Sequence, residues 1–148
     1  MSISGKPDIE CEAIRAKILL CKNSHLLVGV YYGSPNSSDE ESDNLLKSIE
    51  NATNSCALIF GDFITTQLLI GRNWMDIALV NILDKVTDLF LTQQVKQPTR
   101  VPNILDLVFT TEPEMVNDVE VREHLANCDH NILTWKLACD ATQETKLK

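Results

Sequence analysis

The sequence lacks an excess of basic charge. Across 148 residues, 13 Lys and Arg stand against 21 Asp and Glu, a formal net charge of −8. An acidic chain repels a phosphate backbone, which argues against non-specific nucleic-acid binding through a broad basic surface. An enzyme whose bound cations neutralise a substrate phosphate locally remains compatible with that charge. Paired cysteine motifs are also missing. The five cysteines, at 11, 21, 56, 128 and 139, form no CxxC, and an odd number cannot all pair, so they read as free thiols in a reducing compartment. The opening "MSISGKPDIE" has no apolar core of the kind a signal peptide carries, and no run reaches the length of a membrane-spanning helix. The expectation is an intracellular protein, nuclear or cytoplasmic, with no membrane partner. Internal repeats and low-complexity segments are absent as well.

What is present is enough apolar sequence for a core: 44% hydrophobic and 23% charged residues, at a length that fits one ordinary domain. The pattern reads as a polar leader over 1–10, a domain over 11–139 and a polar tail over 140–148. "EAIRAKILL" alternates Ile14, Ala16, Ile18 and Leu20 with polar residues, and "KNSH" separates it from the more apolar "LLVGVYY". Residues 12–32 are therefore expected to form an antiparallel hairpin. Ser38 and Glu41 have capping-box spacing, and Leu45, Leu46 and Ile49 follow at helical intervals, which predicts a helix over 39–51. "CALIF" is continuous in apolar residues and reads as a central strand. Ile77, Val80, Leu83, Val86 and Phe90 predict a second helix over 75–90. Strands are expected at "LTQQV", "ILDLVFT" and "NILTWKLA", with a weaker one at "NDVEV". Mixed strands and helices in this order mean layered α/β or α+β architecture.

Four stretches put polar or ionisable residues at the ends of, or inside, apolar strands: "YYGSPN", "GDF", "ILDLVFT" and "NCDHN". Each has an ordinary reading. Asp62 can be a strand terminator, Asp106 a solvent-facing residue of an edge strand, and Asp129-His130 a turn. Their succession changes the reading. Tyr32-x-x-Pro35-Asn36, Gly61-Asp62-Phe63, Leu105-Asp106-Leu107-Val108 and Asp129-His130 together resemble the magnesium-dependent endonuclease/exonuclease/phosphatase superfamily. Within it, "GVYYGSPNSS", "LIFGDF", the later Trp74, "LTQQVKQPTRVPNILDLVFT" and "CDHNIL" are similar to the endonuclease domain of non-LTR (LINE-type) retrotransposons. The similarity runs from about residue 11 to residue 137, and Pro98-Thr99-Arg100 followed by Leu105-Asp106-Leu107-Val108 is its most specific part.

The resemblance implies a deoxyribonuclease-I-like fold, a two-layer β-sandwich flanked by helices. It implies phosphodiester hydrolysis, which requires an activated in-line water, a cation on the phosphoryl oxygens and donors aimed at the transition state. Asp62 is then the carboxylate that positions or deprotonates the water. His130 faces the phosphate, with Asp106 as its orienting carboxylate. Asp129 lies on the metal side, Tyr32 donates its hydroxyl to the phosphate, and Asn36 supports the loop that presents it. The implied cofactor is magnesium, and the implied partner is DNA.

The departures carry equal weight. Where the family places an Asn after Gly-Asp-Phe, this sequence has Ile64, which donates nothing. Cys128 stands where a Ser usually precedes Asp-His, and Trp74 comes a few residues late, marking an insertion around "TTQLLIG". The family's Asn and its principal magnesium-ligating Glu precede the point where this sequence starts. A hard cation needs several oxygen ligands, so weak magnesium binding, an impaired or absent reaction and a fold incomplete on the amino-terminal side are the expectations. An incomplete sandwich would leave an apolar sheet face exposed, with self-association as a consequence. The competing reading is a non-enzymatic remnant or binding module that keeps only the fold. A zinc site of His124, Cys128 and His130 is a third, weakened by the lack of the paired Cys or His motif of structural zinc.

Overall fold

In a computed structural model, the described residues are 3–8, 13–20, 24–33, 38–63 and 77–138. Asn36, Ile64, Trp74, Cys11, Cys21, Cys139 and the tail 140–148 lie outside them. The expected hairpin forms from β2 (Ala13–Leu19) and β3 (His25–Tyr32), antiparallel with Ala13 opposite Tyr31 and Leu19 opposite His25. Helix α1 (Asp39–Ala52) starts at the expected capping box. The Ser38 N–H donates to Glu41 Oε2 at 2.6 Å, and the Glu41 N–H donates to Ser38 Oγ at 3.2 Å. Strand β4 (Cys56–Asp62) is central, parallel to β3 and antiparallel to β6 (Asp106–Thr110).

The large sheet has six strands in the order β1-β2-β3-β4-β6-β5, with β1 (Ile3–Asp8) and the two-residue β5 (Thr92–Gln93) at its edges. No element is expected from the pattern of residues 1–10, yet β1 pairs antiparallel with β2 over its whole length. It carries Pro7, and a proline with no N–H to give the ladder is tolerated at an edge. A second sheet consists of β7 (Val116–Arg122) and β8 (Ile132–Leu137), antiparallel, with a bulge between Asn117 and Glu120.

Period two in the strands assigns the faces. Tyr31, Ala57, Ile59, Phe63, Leu107 and Phe109 join Leu45, Ile49 and Ala52 of α1 and Ile82 and Val86 of α2 (Ile77–Asp88) in one core. Leu26, Leu58 and Val108 face the other way and meet Met115, Val116, Leu133 and Trp135. The Phe60 and Trp135 rings, 5.0 Å apart edge to face, join the two sheets. Helices, large sheet and small sheet are thus stacked layers, a mixed α/β, deoxyribonuclease-I-like arrangement. Ile18 of β2 and Leu26 and Val28 of β3 pack into this second core, but cover is lost farther along the hairpin. There Ile14 and Val30, opposite one another on that face, are 61% and 39% exposed. No helix among the described residues is long and apolar enough to cross a membrane.

Two residues depart from simple patterning. Phe90, expected on the core stripe of the second helix, is 89% exposed. The helix ends first: Phe90 takes φ 56°, its N–H donates to Thr87 O at 3.0 Å, and the Leu91 N–H donates to Val86 O at 2.9 Å. This is a Schellman cap with Phe90 in the left-handed position that usually holds glycine, so its side chain is turned away from the core. Gly61 is required by close approach, because a Cβ there would lie 1.8 Å from the Tyr31 carbonyl oxygen.

Candidate active site

Strand register builds the site. Tyr32 of β3 is the register partner of Asp62 of β4, and Asp62 is that of Asp106 of β6. The three residues form a row across neighbouring strands. Counting by two from Phe60 and Val108 puts Asp62 and Asp106 on the face toward the small sheet, at the end of β4 and the start of β6. Two carboxylates directly opposite on a ladder repel one another. Compensation comes from the loop between β7 and β8, which carries His130.

His130 Nδ1 lies 3.1 Å from Asp106 Oδ2, and Nε2 lies 3.7 Å from Asp62 Oδ2. Nε2 is also 3.9 Å from Asp129 Oδ1. All three of Asp62, Asp106 and His130 are partly buried, whereas the Asp129 side chain is 64% exposed. When Nδ1–H donates to Asp106, Nε2 is turned toward Asp62 and Asp129, and protonation adds a second donor there. The imidazole is therefore oriented by one carboxylate and presented to two others.

A turn over 99–103 holds these pieces in place. The Thr99 and Arg100 N–H groups both donate to Asn103 O at 3.0 Å, across a cis Val101–Pro102 peptide. Thr99 is fully buried, and its Oγ1 accepts from the Leu105 N–H at 3.1 Å and the Asp106 N–H at 3.0 Å. Its carbonyl accepts the Asn131 N–H at 2.8 Å. One residue thus joins the start of β6 to the residue after His130. Next to it, Arg100 forms an ion pair with Asp129.

Of the residues singled out by sequence, Asp62, Asp106 and His130 come together in one cluster. Asp129 borders it and is engaged by Arg100, Tyr32 lies in the same row of strands and is 47% exposed, and Asn36 is outside the described residues. Sequence reasoning quoted Thr99 and Arg100 within a motif but gave them no role. Their contacts depend on closure of a turn, and neither spacing nor hydropathy announces it.

Ligand atoms of Asp62, Asp106 and His130 lie within 4.8 Å of one another and could hold a metal ion. The donor set fits a divalent cation: two carboxylates suit magnesium completed by water, and the imidazole widens the choice toward manganese or zinc. His124 and Cys128 are not in that group, so the zinc arrangement expected as a third reading does not form among the described residues.

No family model and no curated protein matches the chain. Among solved structures, the endonuclease domain of TRAS1, a telomere-specific non-LTR retrotransposon, is similar with a TM-score of 0.67 and 16% identity. The match covers 93% of this chain and 68% of that one. The human Nocturnin catalytic domain with bound sulfate anion matches with a TM-score of 0.48 and 14% identity, over 85% of this chain and 52% of that one. At 16% identity the likeness to the TRAS1 domain speaks for the fold alone, which is nuclease-like.

Proposed function

We propose that this chain is the nuclease-like part of a magnesium-dependent phosphodiesterase or endonuclease of the retrotransposon-borne kind, with a reaction impaired in the chain as given. The observation that carries the site assignment is His130 held between Asp106 at 3.1 Å and Asp62 at 3.7 Å at adjoining strand ends. In this reading Asp62 positions or deprotonates the attacking water, and Asp106 orients His130 so that Nε2 meets the phosphate. Tyr32 donates to the same phosphate, with Asn36 supporting its loop. Asp62 and Asp106 with His130 are the residues that would hold a divalent ion, and Asp129 stands ready on its edge. When bound, that ion supplies Lewis-acid stabilisation of charge on the phosphoryl oxygens.

Ile64 favours the second reading, a remnant or binding module that keeps the fold without the reaction. A missing transition-state donor costs about 10²- to 10³-fold in rate. Nicking of supercoiled plasmid DNA in magnesium tests both. The chain is expected to nick no faster than a variant carrying Asp62→Asn and His130→Ala together. Magnesium-dependent nicking that vanishes in His130→Ala would overturn the impairment and leave the enzyme. The exposed Ile14 and Val30 support self-association, measurable as a concentration-dependent sedimentation coefficient that Ile14→Lys abolishes.

A further inference from the structure

The Asp129 carboxylate sits between two basic groups. One oxygen, Oδ2, is bound by the Arg100 guanidinium, and the other, Oδ1, lies 3.9 Å from His130 Nε2. A phosphodiester makes the same demand on its surroundings, with two anionic oxygens on one centre and a preference for planar guanidinium donors. The Arg100 side chain is 30% exposed and the Asp129 side chain 64% exposed, so the pair lies where a ligand can reach it. In a chain of net charge −8, an anionic polymer needs a local cation to approach this cluster of carboxylates.

We propose that Arg100 is a phosphodiester-binding residue of this site and that Asp129 is its internal placeholder. Without nucleic acid, Asp129 occupies the seat between Arg100 and His130. When DNA binds, a backbone phosphate takes over the guanidinium, and Asp129 is released toward the side of the site where a divalent ion would be held. The turn that carries Arg100 is tied through Thr99 to Asp106 and Asn131. A phosphate on Arg100 is thereby brought beside His130 rather than to an unrelated part of the surface. The inference rests on the phosphodiesterase reading for its ligand, but it concerns binding and requires no turnover.

The test is a double-mutant cycle on binding of a fluorescein-labelled DNA duplex, by anisotropy in EDTA at low salt. Four proteins are compared: the unaltered chain, Arg100→Gln, Asp129→Asn and the double variant. Arg100→Gln is expected to weaken binding and to make the dependence of log K on log salt shallower by about one. Asp129→Asn, which removes the competing anion, is expected to tighten binding about fivefold, the equivalent of one exposed ion pair. The decisive quantity is the double variant, which should bind as weakly as Arg100→Gln. If the gain from Asp129→Asn persists without Arg100, the effect is generic loss of negative charge and the proposal fails. It also fails if Arg100→Gln matches the unaltered chain, or if none of the four binds. Arg100→Lys keeps the charge without the fork and should fall between Arg and Gln, which provides an independent comparison should Arg100→Gln misfold. A chain that shows this cycle in EDTA but never nicks plasmid in magnesium would retain the binding role of Arg100 and lose the enzymatic reading.

Discussion

Thr99→Val removes one hydroxyl and keeps nearly the same volume, so its effect isolates the hydrogen bonds of a fully buried side chain. Thr99 Oγ1 accepts from the backbone N–H groups of Leu105 and Asp106 at 3.1 and 3.0 Å. Valine leaves both donors without that acceptor. A buried donor left unsatisfied costs about 1–3 kcal/mol, and the Asp106 end is only partly buried, so the sum is about 2–4 kcal/mol. With an m-value of about 2 kcal/mol/M, urea unfolding should shift its midpoint down by about 1–2 M. Thr99→Ser keeps the acceptor and loses one methyl, which costs about 1 kcal/mol. The ordering is therefore parent, then Ser, then Val well below. The same series should reach the site, because the Asp106 backbone would lose its anchor and His130 Nδ1 its fixed partner. The ring ¹⁵N resonances of His130 should move in the Val variant and stay in place in the Ser variant. Equal unfolding midpoints for Val and Ser would refute the argument that the hydroxyl, rather than the shape of the residue, holds the turn.

Phe90→Gly should stabilise the chain, since relief of a left-handed residue, about 1–2 kcal/mol, outweighs the entropy of glycine, about 0.5–1 kcal/mol. Differential scanning calorimetry should show a rise in Tm of about 2–4 °C, and a fall would mean that Phe90 makes a contact that matters. Ser38→Ala should cost about 1 kcal/mol by opening the capping box at the start of α1, read as a lower urea midpoint. Magnesium at about 5 mM should stabilise by less than about 0.3 kcal/mol if its Kd exceeds about 10 mM, a shift near the limit of a thermal melt. A large rise abolished by Asp129→Ala would show that the metal site is stronger than proposed.

Most of the fold was legible where local chemistry and tertiary packing agree. The Ser38–Glu41 box starts α1 where its spacing places it, and the apolar run at 57–60 lies in a strand with neighbours on both sides. Strand β1 was not legible, because an edge strand takes its register from its neighbour and needs no hydrophobic period of its own. Phe90 misled because helical spacing continues two residues beyond Asp88, the last residue of α2, and the cap decides where the side chain goes. In the site, the order of the motifs drew attention to Asp62, Asp106 and His130 together, since each alone has an ordinary reading. The link between Thr99, Arg100 and those residues was hidden, because it is made by backbone groups of a turn that hydropathy does not register.

The row from Tyr32 through Asp62 to Asp106 is a property of three strands at once. Sliding β6 by one position against β4 would place Leu105 or Leu107 opposite Asp62 and turn Asp106 toward the helices, since side chains alternate faces. A single such slip would therefore swap an ionic centre for a greasy one without altering any residue. The His130–Asp106 contact is in this sense a gauge of strand alignment: any spectroscopic signal from it reports whether the two strands have found their native pairing, and would serve to time that event during refolding.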